Sequence, residues 1–378
     1  MTKARTYFGP KKGFEKYLHN NGVDLKNIKS FPSLIRELSI QEHRVLNNEE
    51  PADFNQEPIE IETLIIKSEE YASVNEHVIT NFMGAVSKYS FENIYLHNPP
   101  DSMCQTMRQV HNDYEEQSYQ YKSVTKLDIC NLYNEFDKVI VGQEEAKKSI
   151  LSSLIPLLRK GQSFPVVLLF WGPSGVGKTE TAKLLAQKLH GNLFRKQLSM
   201  FQNSDFSTYL FGGKHNEISF AKNLLDRESN VILLDEFDKT PSHFHSAFYQ
   251  LFDEGIYEDK NYHVNVEKSI IICTSNYNSL EEIREHLGEP IFTRFNDCIE
   301  FAPLDNESKA KIIHMRLDEE YKLLTDEEKE IISKKDVLDK FLKIADKQMN
   351  ARKINTLIKT YISRRILEQY VADSSKAK

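Results

Sequence analysis

Apolar positions follow two rhythms along this chain, and the change between them falls near Asp137. Beyond it, short unbroken apolar runs recur at Val166–Phe170, Phe194–Leu198, Val231–Leu234, Ser269–Cys273 and Cys298–Phe301. Such runs read as strands buried on both faces, as in a parallel sheet. Between them the spacing turns helical, as at Ala182, Leu185, Ala186 and Leu189. Strands alternating with helices predict an α/β unit with a parallel sheet. After Pro303 only helical spacing remains, through Ile312, Leu317, Leu338, Phe341, Ile344, Ile354, Leu357, Ile358, Tyr361 and Ile366.

The first third is less regular. Leu34, Ile35 and Leu38 form a short helical stripe; Ile59, Ile61, Thr63 and Ile65 alternate like a strand. Val74, Val78, Phe82 and Val86 mark a helix face, and Phe91–Leu96 reads as a further strand closed by Asn98-Pro99-Pro100. Residues from about 30 to 98 therefore read as a small α/β unit, with His111–Ser123 as a helix or linker after it. The organisation expected is an accessory α/β unit with its linker at 1–125, a larger α/β unit at 126–303 and a helical unit at 304–378.

Composition narrows the class. At 378 residues, 28% charged and 40% hydrophobic, this is the balance of a soluble globular chain. A net charge of −7 offers no general attraction to nucleic acid or to anionic membranes. The first residues are locally basic (Lys3, Arg5, Lys11, Lys12, Lys16) and read as a solvated arm. The start lacks the apolar core of a signal peptide, and no apolar run approaches transmembrane length. Four cysteines without C-x-x-C spacing suggest neither a disulfide frame nor a zinc site, so the expected compartment is the cytoplasm.

The chemistry concentrates in three segments. Gly172-Pro173-Ser174-Gly175-Val176-Gly177-Lys178-Thr179 matches the G-x-x-x-x-G-K-S/T phosphate loop, set between an apolar run and a helix. Backbone N–H groups and the helix start suit phosphates; Lys178 would reach the β/γ-phosphates and the Thr179 hydroxyl would hold Mg²⁺. Val231-Ile232-Leu233-Leu234-Asp235-Glu236 places two acids at the end of a buried strand. Asp235 would hold Mg²⁺ through water, and Glu236 would align or deprotonate the attacking water. Ile270–Cys273 leads into Thr274-Ser275-Asn276, where Asn276 could orient that water or sense the γ-phosphate; after a strand, asparagine is also a common turn former.

From Asp137 to about Tyr370 these segments resemble the AAA+ family, and within it the Clp-type unfoldases and their torsin relatives. Gly172–Thr179 resembles Walker A, Leu234–Lys239 the L-D-E-x-x-K Walker B segment, and Thr274–Asn276 sensor 1. The resemblance implies an AAA+ P-loop parallel sheet flanked by helices, a C-terminal helical lid and a small N-terminal α/β accessory domain. It places Ile140 and Val141 in the segment that wraps the adenine, and adds Glu180 to the nucleotide-binding set. It gives Arg294 the arginine-finger role and Arg352 the sensor 2 role; each alone would read as a surface arginine. The implied cofactors are ATP and Mg²⁺, and the implied assembly is a homo-oligomeric ring, by family expectation a hexamer.

Departures limit the analogy. Tyr209–Glu217 stands where Clp unfoldases carry the aromatic pore motif G-Y-V-G, and lacks it. Phe211 could still grip a polypeptide, with Tyr257 or Tyr262 acting from a second loop, or Phe211 could be core. No Ile-, Leu- or Val-Gly-Phe tripeptide lies between Asn276 and Arg294, so partnership with a Clp peptidase is not expected. Asn350 replaces the glycine before the sensor 2 arginine, tolerable because asparagine accepts a left-handed backbone. His243 and His245 lack a third ligand and read as structural. Tyr114–Tyr121 offers stacking faces, yet its acids favour a helix face or linker. The expected function is an ATPase that remodels or unfolds a protein client chosen by the N-terminal unit. A nucleotide-gated scaffold controlling a partner enzyme, in a stress or defence system for instance, is the alternative; a nucleic-acid motor is disfavoured by the acidic balance.

Overall fold

The computed structural model describes residues 2–23, 30–46, 57–189, 191–200, 205–345 and 349–376. Two separate parallel sheets organise it, followed by helices. The first contains β1 (Lys3–Phe8), β2 (Ile59–Ile66), β3 (Tyr89–His97) and β4 (Glu115–Ser118), in the order β2-β3-β1-β4. The second contains β5 (Val166–Trp171), β6 (Phe194–Gln197), β7 (Val231–Asp235), β10 (Ile270–Thr274) and β11 (Asp297–Glu300), in the order β11-β5-β10-β7-β6. A two-stranded antiparallel hairpin, β8 (Ile256–Glu258) with β9 (His263–Asn265), leaves the second sheet between β7 and β10.

The apolar runs expected at the second sheet are strands, and their composition explains why they read so strongly. Along β5, Val167, Leu169 and Trp171 pack into one core while Val166, Leu168 and Phe170 pack into the other. Strands β7 and β10 divide the same way, Ile232 and Leu234 against Val231 and Leu233, Ile271 and Cys273 against Ile270 and Ile272. Central strands covered on both faces have no position for a polar side chain until they end. The registers Thr274↔Phe170 and Gln197↔Asp235 keep those ends level, so polar residues just beyond them converge at one edge.

Three readings of the first third are corrected. Lys3 and Arg5 belong to no arm: β1 pairs with both β3 and β4, its Ala4, Thr6 and Tyr7 are buried, and Arg5 bonds Glu115 and Tyr95. The clustered charges hid a strand covered on both faces, with Ala4 in one core and Tyr7 in another. Part of His111–Ser123 is likewise strand β4, recruited by β1 although all four of its residues are exposed. The helix face Val74 to Val86 is broken into Glu76–Thr80 and Phe82–Ala85, because Asn81 is non-helical (φ −117°, ψ 47°). Ile79, Phe82 and Val86 still share the core under β2 and β3.

Beyond β11 the helices Asn306–Leu323, Asp326–Ile331, Lys334–Lys343 and Ala351–Lys376 enclose a core of their own, including Ile313, Leu317, Phe341, Ile354 and Ile358. Leu304 packs against this core and against the sheet core, at the joint between the two. Among the described residues no helix is long and apolar enough to cross a membrane.

Candidate nucleotide site

The loop from Gly172 to Gly177 joins β5 to the helix Lys178–Lys188, whose Ala182 and Leu185 are fully buried against the sheet. Gly172 has φ +126°, and a Cβ there would stand 2.3 Å from the carbonyl oxygen of Phe301. Gly175 has φ +77°, and a Cβ there would stand 2.6 Å from Asn350 Cγ. Glycine is required at both by conformation and by contact. The result is a loop pressed between the sheet edge and the helical unit.

Lys178 is buried, and its ammonium donates to Gly172 O (2.6 Å), Pro173 O (2.9 Å) and Asn276 Oδ1 (3.1 Å). All three acceptors are neutral, and burial pulls its pKa down to about 8. A desolvated cation held by neutral oxygens is a site that an anion would stabilise.

The acids of the second segment follow β7. Asp235 Oδ1 accepts from Thr274 Oγ1 (2.6 Å), while Oδ2 accepts from Arg195 Nε (2.9 Å) and Nη2 (2.6 Å). The same Thr274 hydroxyl accepts the Glu236 N–H at 2.8 Å, so one side chain on β10 ties both acids in place. Glu236 has a left-handed backbone (φ +56°), uncommon for a residue with a Cβ, and its carboxylate accepts from Gln197 Nε2 (3.2 Å). Backbone strain of this kind collects where a side chain must be aimed.

A cleft of about 550 Å³ is bounded by Ser174, Gly175, Val176, Gly177, Lys178, Thr179 and Glu180 on the loop side, and by Asp235, Glu236 and Asn276 on the sheet edge. Ile140 and Val141 form its back wall, and Arg352 closes it from the helical unit. Ile140 packs with the sheet core and Val141 with the helical core, and Gln143 is bonded to both backbone groups of Ala302 (2.8 and 3.0 Å). Gly172 and Pro173 do not line the cleft; they contribute oxygens that hold Lys178. Arg294 is elsewhere: its Nε donates to Asp253 (2.9 Å), and its guanidinium stacks 4.1 Å from the Tyr249 ring centroid. The residues fit a triphosphate with a divalent cation, offering a desolvated cation, a glycine cradle, a hydroxyl and two carboxylates.

Sequence reasoning missed Arg195, Gln197 and the working role of Asn350. Arg195 and Gln197 sit two apart on β6, so they share a face beside the β7 acids; that parity was the available signal. Asn350 is in no left-handed conformation. Its Oδ1 caps the helix Ala351–Lys376 by accepting from Lys353 N–H (2.9 Å), and its Nδ2 donates to Ser174 O (3.1 Å). Ala351 N–H adds a bond to Gly175 O (3.1 Å), so the helical unit holds the phosphate loop directly.

The aromatic candidates separate. Phe211 ends the helix Asp205–Phe211, is 44% exposed and lies near Phe244. Tyr257 and Tyr262 are core residues, 2% and 3% exposed, which removes them as gripping groups. His245 is buried beside the carbonyl oxygens of Thr240 and Leu287, and no cluster of metal-ligating side chains occurs among the described residues.

Residues 165–335 match the family model described as AAA domain (Cdc48 subfamily). The chaperone protein ClpB of Malacoplasma penetrans (strain HF-2) is 29% identical over 266 residues, 64% of this chain and 38% of that protein. The ATP-dependent Clp protease ATP-binding subunit ClpL of Staphylococcus aureus (strain USA300) is 26% identical over 268 residues, with the same coverages, 64% and 38%. The aligned part thus spans little more than a third of these relatives' length. A closed-state cryo-EM reconstruction of Hsp104 with ATPγS and FITC casein has a similar fold, with a TM-score of 0.56 at 17% identity over 95% of this chain and 69% of that one.

Proposed function

We propose that this chain is a Clp-type AAA+ ATPase, which hydrolyses ATP with Mg²⁺ in a homo-oligomeric ring to remodel a protein client; the matched family model and the similarity to ClpB and ClpL support the reading. The observation that carries the reading is the convergence of Lys178, Thr179, Asp235, Glu236, Asn276 and Arg352 on one cleft between the sheet edge and the helical unit.

When bound, the magnesium nucleotide supplies a γ-phosphoryl group open to in-line attack by water. Lys178 and the loop N–H groups would hold the phosphates. Thr179 and, through water, Asp235 would hold the metal, and Asp235 takes its orientation from Thr274. Glu236 would receive the proton of the attacking water, its carboxylate aimed by the strained backbone and by Gln197. Arg352 reports the nucleotide state to the helical unit on which it rides. Because Arg294 lies outside its own cleft, the reading assigns it to the neighbouring subunit's site, which requires a head-to-tail ring. The bonds from Asn350 and Ala351 to the phosphate loop would convert occupancy into movement of the helical unit.

Titration of a fluorescent ATP analogue into wild type and Lys178→Ala, with Mg²⁺ and with EDTA, tests the site. Tight, Mg²⁺-strengthened binding lost in the variant supports the reading; equal binding by both chains contradicts it.

A second reading is favoured by the burial of Tyr257 and Tyr262, which removes both tyrosines expected to act with Phe211 from a second loop. In it the nucleotide state switches a scaffold that controls a partner enzyme, and no polypeptide is threaded. Phe211→Ala separates the two: a threading motor loses client work, whereas a scaffold keeps its control.

A further inference from the structure

The acid assigned to the metal is already bonded to a cation of this chain. Arg195, on β6, directs both Nε (2.9 Å) and Nη2 (2.6 Å) to one carboxylate oxygen of Asp235, Oδ2. Thr274 Oγ1 holds the other oxygen, Oδ1, at 2.6 Å. A carboxylate oxygen offers two lone pairs, and both on Oδ2 meet a guanidinium N–H. A metal-bound water that donated to Oδ2 would have to displace one of them. Wherever that water bonded, a divalent cation one water away from Asp235 would also stand close to the guanidinium, and like charges repel.

The two members of the pair are held very differently. The Asp235 side chain is 8% exposed, it closes a buried strand, and the hydroxyl that holds it also accepts the Glu236 N–H. The Arg195 side chain is 43% exposed and borders the open cleft, and its guanidinium has no second partner among the described residues. Water can therefore take over its N–H groups when it lets go, so release is undemanding. The other cations lining the cleft are committed elsewhere or are buried. Lys183 pairs with Glu180 and Arg316 with Glu319, while Lys178 is buried among neutral oxygens.

We propose that Arg195 is an exchangeable counter-ion for Asp235. It neutralises the acid and keeps it from repelling an incoming triphosphate, then yields Oδ2 to a water of the metal that arrives with the nucleotide. Its role is positioning, exerted through Asp235. The consequence is an order of binding. A divalent ion alone has to displace the guanidinium unaided, whereas an ion already chelated by phosphates brings their grip and that of Lys178 with it. Metal entry is thereby made conditional on nucleotide.

The inference rests on the proposed ATPase, and the test separates the two. A fluorescent ATP analogue is titrated into wild type, Arg195→Gln and Arg195→Lys, each in EDTA and in Mg²⁺, so that the ratio of the two affinities is read without turnover. In Arg195→Gln the affinity in EDTA falls and the Mg²⁺-to-EDTA ratio rises, each about threefold or more, because Asp235 has lost its counter-ion and its competitor for the metal. Arg195→Lys keeps the charge and a ratio within about twofold of wild type. A merely structural role would lower both affinities and leave the ratio unchanged, and a role in presenting Asp235 to the metal would lower the ratio; either result overturns the proposal. Mn²⁺ alone, followed by its paramagnetic resonance signal, should bind Arg195→Gln at least about threefold more tightly than wild type, and equal binding overturns the order. A wild type whose affinity is the same in EDTA and in Mg²⁺ would sink the ATPase reading itself, whereas a wild type with the Mg²⁺ gain and an Arg195→Gln chain with an equal gain sinks only the counter-ion.

Discussion

The two parallel sheets make an instructive pair. In the second, β5, β7 and β10 are buried along their whole length, and their carboxyl ends meet the phosphate loop, the paired acids and Asn276. In the first, β2 is exposed at its start, β4 is exposed throughout, and the carboxyl ends meet another part of the same chain. Asn98, beyond β3, shows what that edge does instead. With a left-handed backbone (φ +45°), it bonds both backbone groups of Gly9 (2.9 Å each) and reaches Asp226 of the larger unit (2.9 Å). Both sheets share strand direction, so topology alone does not assign a role; the groups at each edge do.

The comparison predicts that substitutions at the second sheet's edge remove chemistry, while those at the first sheet's edge change stability. The largest effect is expected at Arg294: Arg294→Ala should lower turnover about 10³-fold with nucleotide affinity nearly unchanged, measured by steady-state hydrolysis and nucleotide titration. Activity rescued by mixing with Glu236→Gln subunits would show that the arginine acts on its neighbour. Next, Lys178→Ala should weaken nucleotide binding about a hundredfold, with a melting temperature equal to or above wild type, since a desolvated cation is removed. Asn98→Ala should do the reverse, costing about 2–3 kcal/mol of stability and leaving nucleotide affinity within about twofold. If Asn98→Ala removed nucleotide binding while Lys178→Ala did not, the division of labour would be wrong.

A smaller effect follows from Lys178's pKa of about 8. The nucleotide-free fold sheds this proton near pH 8, whereas the unfolded chain keeps it to about 10.4. Between those values the unfolded chain binds more protons, so this residue makes the nucleotide-free fold more stable as pH rises through the window. Nucleotide needs the ammonium, so affinity should fall as pH rises above 8. Binding should take up a proton there, measurable by calorimetry in buffers of different ionisation enthalpy.

Legibility in the sequence followed burial. Strands buried on both faces gave unmistakable apolar runs, and the flanking Lys178, Asp235, Glu236 and Asn276 come together at one cleft. The first sheet was harder, because β1 mixes Lys3 and Arg5 with the buried Ala4, Thr6 and Tyr7, and β4 has no buried residue. Arg195 and Gln197 reach the acids through register with β7; their spacing along β6 showed a shared face but not which strand it lies beside. Asn350 was visible, but its use as a cap that also holds the phosphate loop depends on a contact 176 residues away.

The most direct test of the account measures ATP hydrolysis by wild type and Glu236→Gln, with light-scattering mass recorded with and without ATP. The account predicts Mg²⁺-dependent turnover in wild type, a loss of about a hundredfold or more in the variant, and an ATP-bound ring in both. A monomer without turnover, or a Glu236→Gln chain as active as wild type, would contradict it.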